Sequence, residues 1–253
     1  MTTLMALRMP SVADPPNVPG FHTPTELLWF SSPVPYAEAW DLQMRLHHER
    51  VMDSRLDTLL ILEHQPVYTI GRRTRIADWG GDPTAARIDG IEIQHVNRGG
   101  SVTYHGPGQL VVYPILRLTD HATGVRSYVE QLEAAVIRCL LESGITGHRK
   151  PKTPGVWVTN PQEAKIASIG IRVDRGVTMH GLALNVDMDL SPFQGITPCG
   201  LQGCRATSMA EVVGQPVSLL TVTRSLLEQL KQTLALKWTE TPAPTAFNNL
   251  ARP

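Results

Sequence analysis

Between residues 98 and 109 the chain reads RGGSVTYHGPGQ, bringing a cation, paired glycines, hydroxyls, an imidazole and a carboxamide into one short run. The flanks, IEIQHV before it and LVVYPILRL after it, are patterned as strands. The run therefore reads as a loop held between two strands, a place where binding groups concentrate. Gly99 and Gly100 allow the main chain to approach a ligand closely or to take positive φ, and Pro107 stiffens the return. A tight hairpin with incidental polar residues is the plainer alternative. It accounts for Gly and Pro, but not for Arg98, His105 and Gln109 as well.

The remaining chemistry lies downstream. Lys165 opens KIASIGIRV, His180 sits inside VTMHGLALNV, and Cys199 is held in the turn ITPCGL. Cys139 falls on the apolar stripe of a helix and reads as inert core. Cys199, between Pro198 and Gly200, can present its sulfur to a pocket, while Cys204 is either a loop bystander or a resolving thiol. An ordinary thiol is only about 3% ionised at pH 7, and a neighbouring cation that lowers its pKa to about 6.5 makes it mostly thiolate. Lys165 is the candidate cation. Strand alternation places it with Ala167, Ile169, Ile171 and Val173, where a lysine is either held against a partner or snorkels to the surface. The same rule groups His180 with Leu182, Leu184 and Val186, and taken alone it reads as a satisfied buried histidine. Gly181 and Ala183 on the opposite face, and Ser168 and Gly170 on the neighbouring segment, are small enough to leave room for an apolar chain. Burying such a chain is worth roughly 0.8 kcal/mol per CH₂.

These residues need elements to position them. Leu27–Phe30, Thr58–Glu63, Val67–Ile70, Ile91–Val96, Leu110–Leu118, Gly155–Thr159, Lys165–Val173 and Val177–Asp187 read as strands, and Gly71–Asp89 as irregular. Apolar residues at helical spacing predict helices over Pro35–Arg55, Val125–Leu140 and Leu219–Leu234. With few regular β–α alternations, the pattern predicts an α+β domain: a mixed, largely antiparallel sheet packed with helices. The expected organisation is a flexible proline-rich extension over residues 1–24, one catalytic domain over 25–238 and a loose tail over 239–253.

Composition narrows the class. The chain has 253 residues, 42% of them hydrophobic, zero formal net charge and three cysteines. A neutral balance argues against a basic nucleic-acid surface. No apolar run approaches the ~18 residues of a membrane span, and the N-terminus lacks the apolar core of a secretory signal. The cysteines match neither a disulfide framework nor a zinc site. A reduced, cytoplasmic protein is expected. Arg72, Arg73 and Arg75, and separately Arg149, Lys150 and Lys152, form local basic clusters that either steer acidic partners or are plain solvated surface.

Taken in order, the pieces resemble the lipoyl(octanoyl) transferase family. Its Arg-Gly-Gly-x-x-Thr-aromatic-His-x-x-Gly-Gln pattern is met by Arg98, Gly99, Gly100, Thr103, Tyr104, His105, Gly108 and Gln109. Its Lys-Ile segment is met by Lys165 to Gly170, and its Pro-Cys-Gly turn by Pro198, Cys199 and Gly200. The resemblance runs from about Leu27 to Leu234. It implies the fold of biotin and lipoate protein ligases. It also implies transfer of an octanoyl or lipoyl group from acyl carrier protein to a lysine of lipoyl domains, with no metal or cofactor. Cys199 would carry the acyl group and Lys165 would serve as acid and base. The substrate site would comprise Arg98, Gly99, Gly100, Ser101, Val102, Thr103, Tyr104 and His105, together with Ser168, Ile169, Gly170, Gly181, Leu182 and Ala183, supported by Gln109 and His180. Three rival readings are an ATP-dependent lipoate or biotin ligase, a thiol hydrolase using Cys199 and His180 with Asn185, and a non-catalytic module that binds carrier or lipoyl domains. The ligase needs a phosphate-cradling loop that the sequence does not display.

Overall fold

The run DTLLIL is apolar at nearly every position, so a strand there must be covered on both faces. In the computed structural model, which describes residues 23–79, 87–159, 161–197 and 203–247, Asp57–Leu62 forms a fully buried strand, β2. Leu59 and Ile61 enter one core, and Leu60 and Leu62 enter another on the opposite face. Its predecessors are β1 (Thr23–Trp29) and helix α1 (Tyr36–Val51). Then come β3 (Val67–Ile70), β4 (Arg87–Ile88), β5 (Ile91–His95), β6 (Thr103–His105) and β7 (Gln109–Ile115). Helix α2 (Val125–Glu142) leads to β8 (Gly147–Lys150), β9 (Thr153–Thr159), β10 (Glu163–Asp174) and β11 (Val177–Asn185). The last elements are β12 (Arg205–Ala206), α3 (Met209–Val213), α4 (Leu219–Thr233) and β13 (Leu236–Lys237).

The main sheet has the order β13-β1-β2-β7-β11-β10-β9-β8, with β12 beside β10; a smaller sheet has the order β4-β5-β3-β6. Most pairings are antiparallel. β1 with β2, β1 with β13, β10 with β12 and β3 with β5 are parallel. Helices α2 and α4 cover one face of the main sheet, and α1 covers the other. The expected mixed α+β architecture is thus observed. Among the described residues, no helix is long and apolar enough to cross a membrane.

Several local expectations are corrected. The signature run is not a loop between two neighbouring strands. Thr103–His105 is itself a strand, and the flanking strands β5 and β7 belong to different sheets. The run is therefore the crossing between the sheets, and its Arg98, Ser101, Thr103 and His105 line the cleft that the two sheets enclose. Strand β8 and helix α3 carry too little periodicity to be read from sequence. Of the segment expected as a loose tail, the described part is anchored at two residues: Thr245 exchanges main-chain hydrogen bonds with Trp29 and Ser31 (2.8 and 2.9 Å), and Phe247 packs edge-on against Phe30 at 4.8 Å; residues 248–253 lie outside the described residues. Residues 1–22 lie outside the described residues.

A buried polar knot ties these layers together. Asp57, at the start of β2, accepts from Arg50 Nε (2.7 Å), the Arg117 N–H (3.0 Å) and His121 Nε2 (2.6 Å). The other nitrogen of His121 reaches the Leu234 carbonyl at the end of α4 (2.6 Å). Burial alone would raise the Asp57 carboxyl, but the hydrogen bonds from His121, Arg50 and the Arg117 main chain win and hold it below its ordinary value. The folded chain therefore binds this proton less readily than the unfolded one. The stabilisation is complete above the ordinary carboxylate pKa and fades as pH falls through the lowered one. Asp57→Asn leaves the Arg50 guanidinium without its buried counter-charge, and we expect a loss of about 3 kcal/mol at neutral pH. Urea denaturation at stepped pH checks this: the gap between wild type and variant should shrink on acidification below pH 4, and a pH-independent gap would contradict it.

Candidate active site

Strict alternation would point Lys165 toward the α2–α4 core, but one irregularity reverses it. Across β9 and β10, Lys165 pairs with Trp157 while Ala167 pairs with Val156, so two steps on β10 match one on β9. Ile166 is the extra residue of a β-bulge, and a bulge re-aims the side chains beside it. Ile166, Ala167 and Ile169 keep to the α2–α4 core. Lys165 is thrown to the other face, where it lines a cleft with Ser168 and Gly170. The grouping of Lys165 with Ala167, Ile169, Ile171 and Val173 is thereby corrected. The lysine is 5% exposed. Its Nζ donates to the Pro154 carbonyl (2.8 Å) and lies 5.5 Å from the centre of the Trp157 ring. Gly155 makes room for it: at φ +127°, any Cβ there would run into Lys165 Cε.

A second irregularity moves His180. It takes φ +56° in the middle of β11, a left-handed conformation that non-glycine residues adopt at a cost. The imidazole leaves the face of Leu182, Leu184 and Val186, which remain in the α2–α4 core. It lies tilted against Trp40 of α1 (4.9 Å) and meets the edge of Tyr113 (6.3 Å). Its main-chain N–H donates to Gln43 Oε1 (3.0 Å), and Nε2 donates to Asn97 Oδ1 (2.9 Å). The rival thiol-hydrolase reading, which needs Asn185 to orient His180, is not supported by this arrangement. Asn97 orients His180, whereas Asn185 bonds Gln109 and the Thr207 carbonyl.

The signature run forms the wall opposite β10 and β11. Arg98 is buried; its guanidinium donates to the Thr69 carbonyl (2.7 Å), to Thr69 Oγ1 (2.8 Å) and to the Gly99 carbonyl (3.0 Å). Thr69 Oγ1 in turn lies 3.3 Å from His105 Nε2. His105 Nδ1 donates to Gln109 Oε1 (2.7 Å), and Gln109 Nε2 donates to Asn185 Oδ1 (2.9 Å). Asn185 continues to the Thr207 carbonyl (2.8 Å), and the Thr207 N–H returns to the Lys165 carbonyl (3.0 Å). One chain of hydrogen bonds thus links the buried arginine to the strand that carries the lysine. Gly99 donates to the Ile171 carbonyl (2.9 Å), and Gly170 faces the Gly99 carbonyl so closely that a Cβ would lie 2.9 Å from it.

The cleft is lined by Arg98, Gly100, Ser101, Val102, Thr103 and His105 from this wall, and by Lys165, Ser168, Ile169, Gly170, His180, Gly181, Leu182 and Ala183 from the sheet. Three expected residues stand behind it. Tyr104 packs against Tyr68 and Phe193, Gln109 backs His105, and Gly99 braces the wall on β10. Gly181 supplies less room than its size suggests, because a Cβ there would meet the Val112 carbonyl of β7. Tyr36 and Tyr113 also line the cleft and were not anticipated. Tyr36 begins α1 and Tyr113 sits within an apolar strand, so each reads as core from sequence. Burial raises both phenols above their ordinary pKa. His64, bonded to Tyr113 Oη (2.7 Å), is pushed down to about 4 by burial. His105 is driven well below its ordinary value, by burial first and then by the charges of His64 and Arg98. The cleft therefore presents neutral imidazoles and phenols around a buried cation.

Cys199, with Pro198, Gly200 and Leu201, lies outside the described residues. Both flanks of that segment are anchored on the site. Thr197 N–H donates to the Asp78 carbonyl (2.6 Å), and Asp78 Oδ2 accepts from Ser101 Oγ (2.9 Å). On the far side, Ala206 pairs with Lys165 in the parallel β10–β12 register. Cys139 is buried under Ser225 Oγ (3.3 Å), and burial raises its thiol to about 11, as suits inert core. Of the basic clusters, Arg149 and Lys150 pair with Glu133 and Glu163. Arg72 and Arg73 are exposed, their main-chain N–H groups donating to the Arg98 and Gly100 carbonyls (both 3.1 Å).

Comparison with known proteins agrees with this geometry. Residues 35–231 match the family model of the lipoyl protein ligase A/B catalytic domain. A protein of Chloroflexus aurantiacus called octanoyltransferase is 44% identical over 205 residues, covering 81% of this chain and 92% of its own. The octanoyltransferase of Thermobifida fusca is 44% identical over 206 residues, covering 77% and 84%. Among solved structures, the bipartite lipoate protein ligase of Thermoplasma acidophilum superposes with a TM-score of 0.65 at 18% identity, covering 91% of each chain. Lipoate-protein ligase A bound with ATP gives 0.62 at 18% identity, covering 90% of this chain and 92% of its own. The structural likenesses establish the lipoate protein ligase fold. Family model and sequence relatives together place the chain in the octanoyltransferase family of acyltransferase enzymes.

Proposed function

We propose that the enzyme transfers an octanoyl group from acyl carrier protein to a specific lysine of lipoyl domains, the first step of endogenous protein lipoylation, through a thioester on Cys199 with Lys165 as the proton carrier. The observation that carries this reading is the bulge at Ile166. It turns a buried ammonium into the cleft on the very strand to which the chain returns after the cysteine turn. A structural lysine would need no such device.

In the resting pair Lys165 is the ammonium and Cys199 the thiolate, the form a neighbouring cation favours. The sulfur attacks the thioester carbonyl. A new S–C bond forms, the old C–S bond breaks, and the carrier's thiolate leaves with the proton of Lys165. Neutral Lys165 then takes a proton from the acceptor amine as that nitrogen attacks the acyl-enzyme. The amide bond forms, the Cys199 S–C bond breaks, and the ammonium–thiolate pair is restored. Exchange of thioesters is nearly neutral in energy and amide formation is downhill, so no ATP enters.

The acyl chain lies over Ser168, Gly170 and Ala183, under the wall of Arg98 to His105. The hydrogen-bond chain from Arg98 to Thr207 keeps that wall in register with the lysine strand. Arg72 and Arg73 sit on the wall's outer side, where they attract acidic carrier and lipoyl domains.

Intact mass after mixing the enzyme with octanoyl-carrier, without ATP, should rise by one octanoyl group, and Cys199→Ala should show neither adduct nor transfer. An unmodified mass with activity appearing only on ATP addition would favour a ligase instead. Lys165→Ala should move the pH midpoint of Cys199 alkylation upward and slow transfer by about a hundredfold or more. Gly155→Ala, which crowds Lys165 Cε, should move the midpoint part of the way. Unchanged midpoints in both would remove Lys165 from the chemistry.

A further inference from the structure

A buried carboxylate lies on the far side of the peptide that holds the lysine. Glu133 sits in α2 between Leu132 and Ala134 and is 6% exposed. Its Oε1 accepts from the Gly155 N–H near the start of β9 (3.0 Å), and its Oε2 accepts from Arg149 Nε on β8 (3.0 Å). The Gly155 N–H and the Pro154 carbonyl belong to one peptide unit. In a trans peptide these two groups point in opposite directions, and the Pro154 carbonyl accepts from Lys165 Nζ (2.8 Å). The order through the amide is therefore carboxylate, N–H, carbonyl, ammonium.

Each end of that line strengthens the other, because hydrogen bonds in series polarise the amide between them. The line also fixes which way the peptide faces. Gly155, at φ +127°, is a residue about which a peptide turns easily. Turned over, the amide would aim its N–H at the ammonium and its carbonyl at the carboxylate, both repulsive. Glu133 makes the observed orientation the favoured one. An ion pair with Arg149 does not account for this placement. The Arg149 side chain is 38% exposed, and a pair made for its own sake would sit in solvent at little cost, whereas burying a carboxylate is costly. Burial raises the Glu133 carboxyl; the Gly155 N–H and Arg149 oppose the rise, and Glu130 on the same helix adds to it. On the lysine side the facing groups are the Pro154 carbonyl and the Trp157 ring, which Lys150 of β8 also overlies (4.8 Å).

We propose that Glu133 is a positioning residue for Lys165, holding the Pro154–Gly155 peptide with its carbonyl on the ammonium. This rests on the reading of Lys165 as the proton carrier. Glu133 is not among the residues that line the cleft and acts through the peptide alone.

Lysine ¹³Cε NMR of the whole chain reads Lys165 directly; among the five lysines its signal is the one that Lys165→Arg removes. In Glu133→Leu, which offers Gly155 no acceptor, the Lys165 titration should move to lower pH, because an ammonium held by a weaker acceptor releases its proton more readily. The same variant should lower kcat for transfer about tenfold, the worth of one hydrogen bond to a charged group, with KM for octanoyl-carrier unchanged. Glu133→Gln keeps an acceptor for Gly155 and should restore most of both. Arg149→Ala should leave both as in wild type. Glu133→Met stands in if the leucine variant does not fold. A wild-type Lys165 titration in the apolar variant would overturn the proposal. So would a glutamine variant no better than leucine, or an Arg149→Ala that reproduces the loss. The NMR arm needs no acyl transfer, so failure of octanoyl-carrier to acylate the enzyme is a separate result, bearing on the transferase reading alone.

Discussion

Lys165 faces the cleft because β10 carries one residue more than β9 between Lys165 and Ala167. Without that residue the ammonium would turn into the core of α2 and α4, away from the cleft. The surrounding structure is arranged around this one displacement. Gly155 vacates the space that the lysine stem fills, the Pro154 carbonyl fixes the ammonium, and the Trp157 ring shields it. The chain beyond the cysteine turn pairs with the same strand at Ala206. A bulge thus decides which way this lysine points, in keeping with the frequency of bulges beside active sites.

Electrostatics follow from burial. The cleft holds a guanidinium deep in its wall, and around it the histidines stay neutral chiefly because burial disfavours their charged form, with Arg98 adding to the effect at His105 and His180. Neutral imidazoles have fixed donors and acceptors, so His105 and His64 each pass a hydrogen bond in a defined direction. His105 ties the wall to Gln109, Asn185 and Thr207, and through Thr207 to Lys165. The motif that stands out in the sequence and the lysine far downstream are joined by this relay. The Asp57 knot sits elsewhere and serves the layers, clamping β2, α1 and the end of α4.

Much of the site was legible in residue types. Most of Arg98 to His105, with Ser168 to Gly170 and Gly181 to Ala183, line one cleft, while Gly99 and Tyr104 stand behind it, because their glycines and polar groups mark close approach wherever they fall. The alternation rule located most strands but misplaced Lys165 and His180. Each sits at a backbone irregularity, one a bulge and one a left-handed residue, that sequence periodicity does not encode. Tyr36 and Tyr113 escaped because a buried phenol in an apolar run reads as packing. His180's true partner, Asn97, adjoins Arg98 and had only that adjacency to recommend it. The pinned segment at Thr245 and Phe247 was missed because one bridge and one ring contact leave no periodic trace.

The most direct test of the account is the distance between the Lys165 ammonium and the Cys199 sulfur in a crystal structure of the enzyme at neutral pH. The account predicts a separation within about 4 Å, where a cation holds a thiol ionised. Two groups turned apart by about 10 Å or more, beyond the Debye length of ordinary buffer, would contradict it.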